Sequence, residues 1–196
     1  MNHLLVFMHP SNDSFNGSLL RAYQDELVKN GHRVVVRSLY EMNFNPILTV
    51  EEYKDTFKGI YKEDIQQEHD YLNWADAVTF LFPFWWGGFP SIGKGYIDRV
   101  LSFGFAYRLN GETPIPLLNG KKAAFICTTG SPSEEYEKSG MHERVVRLTD
   151  DAIFRFCGLE LVSHTFFGGV LVCSDEERKK MMAQTKEIAA SWATAE

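Results

Sequence analysis

Three short stretches hold the side chains that could do chemistry. The first, HPSNDSFNGS from His9 to Ser18, is rich in hydroxyls and amides. If it opens a helix, the free N–H groups at that helix start attract phosphate, and His9 adds a donor. It is not GxGxxG and Gly17 stands alone, so a dinucleotide Rossmann site is not indicated. The second, FPFWWGGFP from Phe82 to Pro90, puts two tryptophans where the backbone is least regular. Trp85 and Trp86 would forfeit burial free energy in water, which suggests a flat, partly apolar ligand. Gly87 and Gly88 would let the backbone approach it closely. One of the two rings is expected to pack on the next helix and seal the core. The third stretch, TTGSPSEEYEKSGMH, runs from Thr128 to His142. Thr128, Thr129 and Gly130 offer hydroxyls and peptide N–H groups to the edge of a heterocycle. Tyr136 and His142 can donate to an anionic oxygen, and a histidine can carry a proton near neutral pH. Taken singly, each stretch has an ordinary reading: a capped helix, a core aromatic, a solvated Tyr and His.

What matters is how the chain must position these loops. Leu4 to Met8, Arg33 to Leu39, Ala77 to Phe82, Ala123 to Cys127 and Leu159 to Phe166 are short apolar runs that read as strands. Between them, helical spacing predicts Ser14 to Asn30, capped by Ser14 or Asn16, then Val50 to Lys62 and Glu63 to Asp76. Further helices are predicted at Ser91 to Phe103, His142 to Cys157 and Asp175 to Ala193. In the fifth of these, Val145, Leu148, Ala152, Ile153 and Phe156 share one face, and Gly158 ends it. The alternation predicts an α/β fold: a doubly wound, five-stranded parallel sheet with helices on both faces, as one domain over residues 1–196. In such sheets ligands bind beyond the carboxyl ends of the strands, at the topological switch point. The three stretches follow the first, third and fourth strands, so they share that edge.

Composition narrows the partners. The 196 residues carry a net charge of −6 with no basic stripe, which argues against a nucleic-acid backbone. No stretch is apolar enough to span a bilayer or amphipathic enough to dock on lipid, and the start does not resemble a signal peptide. Cys127, Cys157 and Cys173 have neither CxxC nor zinc spacing. Three buried thiols in a reducing cytoplasm, and no metal, are the expectation. An aromatic rim, a phosphate-attracting loop and an amide-rich loop on one sheet edge together suggest a flavin.

The same stretches carry a family resemblance. HPSNDSFN, LYEMNFNPI, FPFWWGGFPSIGKGYIDRV, GFAY, TTG followed by YEKSGMH, and FCG recur in order from His3 to about Val172. With them the sequence resembles the flavodoxin-like NAD(P)H:quinone oxidoreductases, the DT-diaphorase family. Its bacterial relatives include modulators of drug activity and ancillary subunits of potassium efflux systems. The resemblance implies that His9, Ser14, Phe15 and Asn16 bind the phosphates of a flavin. It places Pro83, Phe84, Trp85 and Trp86 along the ring, and Thr128, Thr129 and Gly130 on the ring's polar edge. It casts Tyr136 and His142 as the catalytic pair that stabilises charge on the reduced ring, and Trp86 with Gly87 as part of the substrate pocket. It also implies a homodimer, with Tyr107 and Phe156 reaching into the partner's pocket.

The activity implied is two-electron, ping-pong hydride transfer from NAD(P)H to quinones or similar flat acceptors. FAD is favoured over FMN because Arg178 falls where FAD-binding members place an arginine. The sequence departs from the family at Gly87, Ser131 and Leu109, where mammalian members have an aromatic, a glycine and a tyrosine. Those departures bear on the substrate. Two alternative readings are a flavin-binding regulatory subunit of a potassium-efflux type transporter and a flavodoxin-type electron carrier.

Overall fold

The structure is a computed structural model and describes residues 1–192. Five parallel strands form the central sheet: β1 (Asn2–Phe7), β2 (Arg33–Ser38), β3 (Ala77–Pro83), β6 (Lys122–Thr128) and β7 (Glu160–Phe167). Their order is β2-β1-β3-β6-β7. The chain reverses direction across the sheet after β2, which makes the gap between β1 and β3 the switch point. β3 is buried at every position, as a central parallel strand covered on both faces must be.

The period of two sorts the strand residues onto two cores. Leu5, Phe7, Leu81, Ala124 and Ile126 pack under α1 (Phe15–Lys29) and α8 (Asp175–Ser191), through Leu19, Tyr23, Leu27 and Ala189. Leu4, Val6, Val78, Phe80, Phe82 and Phe125 face the other way. There they meet α3 (Glu63–Trp74) and α4 (Ser91–Val100), through Ile65, Leu72, Ile92, Tyr96 and Ile97. Among the described residues no helix is long and apolar enough to cross a membrane.

Several expected elements differ. The helix predicted over Val50–Lys62 is only α2 (Val50–Thr56), because Gly59 turns the chain at a φ of +71° before α3 begins. α4 stops at Val100, short of the predicted Phe103. A hairpin, β4 (Tyr107–Asn110) and β5 (Thr113–Pro116), was not predicted. Its signal was available: a two-residue turn with Gly111 first, at a φ of +61°. The polar loop after β6 contains α5 (Ser133–Lys138). The helix predicted over His142–Cys157 is α6 (Met141–Thr149), a π-helical stretch (Asp150–Phe154) and α7 (Arg155–Cys157) in succession. Leu148 and Ala152 are exposed rather than core. The last helix begins at Asp175 as expected, while its predicted end, Ala193, lies outside the described residues. Cys127 and Cys157 are buried and all three thiols are free, but Cys173 is only half-buried.

Candidate functional site

α1 starts where Ser14 caps it: the Ser14 hydroxyl accepts the Gly17 N–H at 3.1 Å. Gly17 lets the helix start lie against the first loop, since a Cβ there would sit 1.9 Å from the Asn12 carbonyl oxygen. Asn16 is not the cap. It is buried, and its amide donates to the Thr128 hydroxyl at 2.9 Å, while that hydroxyl lies 3.2 Å from the Asn16 carbonyl oxygen. The first and third loops are thereby clamped across the switch point. His9 is held beside them, its Nδ1 accepting the Ser11 N–H at 3.1 Å.

The third loop keeps its threonine hydroxyls for itself. Thr128 is occupied by Asn16, and the Thr129 hydroxyl donates to the Ser131 carbonyl at 2.8 Å. The Thr129 N–H is taken by the Phe167 carbonyl. The expectation that both hydroxyls would meet a heterocycle therefore gives way to one in which they shape the loop, leaving Gly130 exposed at its tip.

After β3, the tryptophan stretch forms a tight turn. Trp85 and Gly88 exchange both backbone hydrogen bonds at 3.1 Å, and the central residues Trp86 and Gly87 have φ of +51° and +85°. Positive φ at both is the mark of a type I′ turn, costly for a residue with a side chain such as Trp86. Neither tryptophan seals the core, contrary to expectation: Trp85 is 42% exposed and Trp86 wholly so. Phe89 does that work instead, packing on Phe82 with ring centroids 4.4 Å apart.

These loops enclose a cleft of about 430 Å³ at the switch point. Its walls include His9, Asn16, Trp85, Thr129, Gly130 and Tyr136, with Pro83, Phe84, Trp86 and Thr128 also lining it. The Leu171 side chain closes one end, near Gly130, and is a site residue with no motif in the sequence to announce it. Tyr136 sits on α5, edge-on to Phe84 at 5.9 Å and to His142 at 5.7 Å. His142 lies behind Tyr136, outside the cleft wall, stacked on Phe166 at 4.2 Å. Its Nε2 is buried with no protein partner. Burial holds its pKa below the ordinary imidazole value; Glu137 opposes this and His164 reinforces it.

Phe15 and Arg178 are brought together, but in a neighbouring cavity of about 530 Å³ between α1 and α8. The guanidinium lies over the Phe15 ring at 5.1 Å and donates to the Val170 carbonyl. Lys179 and Lys186 add positive charge there. Tyr107 and Phe156 contact each other, centroids 4.8 Å apart, and line neither cavity.

A family model for the flavodoxin-like fold matches residues 1–191. The chain belongs to this flavodoxin-like family. An uncharacterized NAD(P)H oxidoreductase of Haemophilus influenzae is 42% identical to this flavodoxin-like chain over 183 residues, 93% of this chain and 91% of that one. The ribosyldihydronicotinamide dehydrogenase (quinone) of Mus musculus is 34% identical over 200 residues, 92% of this chain and 87% of the relative. Among solved structures, an NAD(P)H:quinone oxidoreductase from Methanothermobacter marburgensis superposes with a TM-score of 0.88 at 29% identity, covering 98% of this chain and 96% of that one.

Proposed function

We propose that the whole chain acts as one flavin-binding domain, an NAD(P)H:quinone oxidoreductase. The observation that carries this is the cleft itself: indole and phenyl rings on one wall, the exposed Gly130 backbone with Ser131 and the Tyr136 side chain on the other, at the switch point of a flavodoxin-like sheet. That lining suits a flat heterocycle, and behind Tyr136 the His142 Nε2 is a buried polar atom without a protein partner. Bound there, a flavin supplies the two-electron relay between the nicotinamide and the acceptor. Overall, NAD(P)H and one proton reduce a quinone to its hydroquinone.

The chain's own residues do the rest. Phe84, Trp85 and Trp86 would supply the flat apolar surface against which flat partners stack. Gly130 brings bare backbone to the ring's edge. The Tyr136 hydroxyl and His142 Nε2 hold and return the proton that accompanies hydride. Burial lowers the imidazole's pKa and so favours its neutral form. The cavity at Phe15, Arg178, Lys179 and Lys186 supports FAD over FMN, because its cations and its ring suit a phosphate and an adenine.

We also infer a homodimer. Tyr53 and Phe57 are more than half exposed, and with Phe103, Tyr107 and Phe156 they form an aromatic ladder on one side of the molecule. The three free thiols suit a reducing compartment such as the cytoplasm.

Stopped-flow absorbance of the flavin-loaded protein tests the reading. Mixed anaerobically with NADH or NADPH and then a quinone, the flavin band should bleach and return. The Tyr136→Phe/His142→Gln double variant should keep its flavin and bleach roughly 10²-fold more slowly, in line with lost general acid–base help. A flavin band that ignores both nicotinamides would instead indicate an electron carrier or a transporter's regulatory subunit. An unchanged rate in the double variant would remove the pair from the mechanism.

A further inference from the structure

On the far side of the tryptophan turn lies a second and larger hollow. It is a groove of about 570 Å³ whose walls include Trp86, Phe89, Val145, Leu148 and Ile153. Phe84, Trp85 and Trp86 line both hollows, so the two lie on either side of the same turn. The two differ in chemistry. The cleft sets an imidazole, amide and hydroxyl side chains against its aromatic rings. The groove is mostly hydrocarbon, with the Ser91 and Thr149 hydroxyls at its wall and its one charged side chain, Lys94, paired with Asp98 at 2.5 Å.

The chain's irregular backbone builds this groove. In the π-helical stretch the Arg155 N–H reaches back to the Asp150 carbonyl, five residues away. Leu148, before this stretch, and Ile153, within it, meet on the same wall. Gly87 and Gly88 face open space, with nothing within 4 Å of where a Cβ would be. Leu148 is 64% exposed, an apolar side chain held toward water at the groove's lip.

Resting on the quinone-reductase reading, we propose that this groove binds the aliphatic tail of the acceptor, and that the acceptors used best are quinones carrying an apolar side chain. A quinone head must stack on the flavin ring held in the cleft to receive hydride, so the head stays on the cleft side of the turn. A saturated or prenyl chain needs apolar area next to the head, which the groove offers on the other side of the same turn. At the roughly 30 Å³ that a water occupies in the liquid, the groove has room for on the order of fifteen to twenty heavy atoms. That length corresponds to a tail of about three isoprene units.

The test is steady-state kinetics of the flavin-loaded protein with 2-alkyl-1,4-benzoquinones of increasing chain length, at saturating nicotinamide. KM should fall with each added methylene, by up to about fourfold for one fully buried. The fall should level off once the groove is full, with kcat unchanged. Leu148→Asp should flatten that dependence without lowering the melting temperature, since the side chain is exposed. As a readout free of turnover, quenching of tryptophan fluorescence in the flavin-free protein by a 2-decyl hydroquinone should tighten with chain length, and Leu148→Asp should abolish the trend. A KM independent of chain length overturns the proposal. So does a Leu148→Asp variant that keeps the slope, or one that turns a dimer into a monomer while tails have no effect, which would give the groove to a second copy of the chain. If no quinone, tailless included, is reduced, the reductase reading fails by itself, and the quenching series still decides whether the groove takes an aliphatic chain.

Discussion

Asn16 and Thr128 are 112 positions apart and form the one buried side-chain clamp between the first and third loops of the cleft. Each supplies a donor and an acceptor to the other, and neither reaches water. Thr128→Val would keep the shape and remove the hydroxyl, leaving the Asn16 amide buried without its partner. A loss of about 1–3 kcal/mol in unfolding free energy is expected, with Thr128→Ser close to wild type. Urea titrations of the three proteins check this, and a Val variant as stable as wild type would mean the amide finds another partner. His142 shows the same dependence on surroundings. Nothing in GMH separates a solvated histidine from this one, which is stacked on Phe166 and kept neutral by burial.

At the scale of elements, the tryptophan turn carries the most tension. Trp86 occupies a backbone conformation that L side chains rarely adopt, and its ring is fully exposed. Gly87 adopts a φ of +85° at no cost, and no neighbour would clash with a Cβ there. Gly87→Ala should therefore destabilise the protein by about 1–2 kcal/mol through the backbone alone. Trp86→Asn, a residue that tolerates positive φ, should leave stability unchanged or raised while weakening acceptor binding. Thermal melts of the flavin-free variants separate the two effects; equal melting temperatures would show that the turn relaxes freely. Most of the elements were legible in the sequence. Short continuous apolar runs gave the sheet strands within a residue or two, because burial on both faces of the central strands demands hydrocarbon at every position. Short pieces were not legible. α5 has no buried residue, so no periodic pattern betrays it. The π stretch changes the phase of its own helix.

Across the whole molecule, the buried His3 and His69 store the largest response to acid. His3 is fully buried on β1 with neither ring nitrogen bonded, edge-on to His32 and Trp192. His69 on α3 bonds the Val100 carbonyl through Nε2 at 2.9 Å and stacks on Phe105. Burial is the main cause that lowers both, each to about 4 from 6.5. With folded values below unfolded ones, the unfolded chain binds more protons as pH falls. The stability from these groups is therefore complete above about pH 6.5 and is lost progressively toward pH 4. Between pH 6.5 and 5 the pair should cost on the order of 3 kcal/mol. Denaturant titrations at pH 7, 6 and 5 measure this, and His3→Phe should shed about half of the dependence. Equal slopes for the two proteins would show that His3 escapes protonation by another route.

By itself, the sequence determined the layers and the address of the site. Continuous apolar runs alternating with helices indicate a parallel sheet covered on both faces, and such a sheet gathers its ligand loops at one edge. Tertiary structure alone decided what those loops do. Asn16 and Thr128 became a clamp, Trp85 and Trp86 a partition between two hollows, and Leu171, from an unremarked loop, an end wall. These roles depend on which side chains meet across long separations and on how far each is removed from water. Local residue order does not encode either quantity.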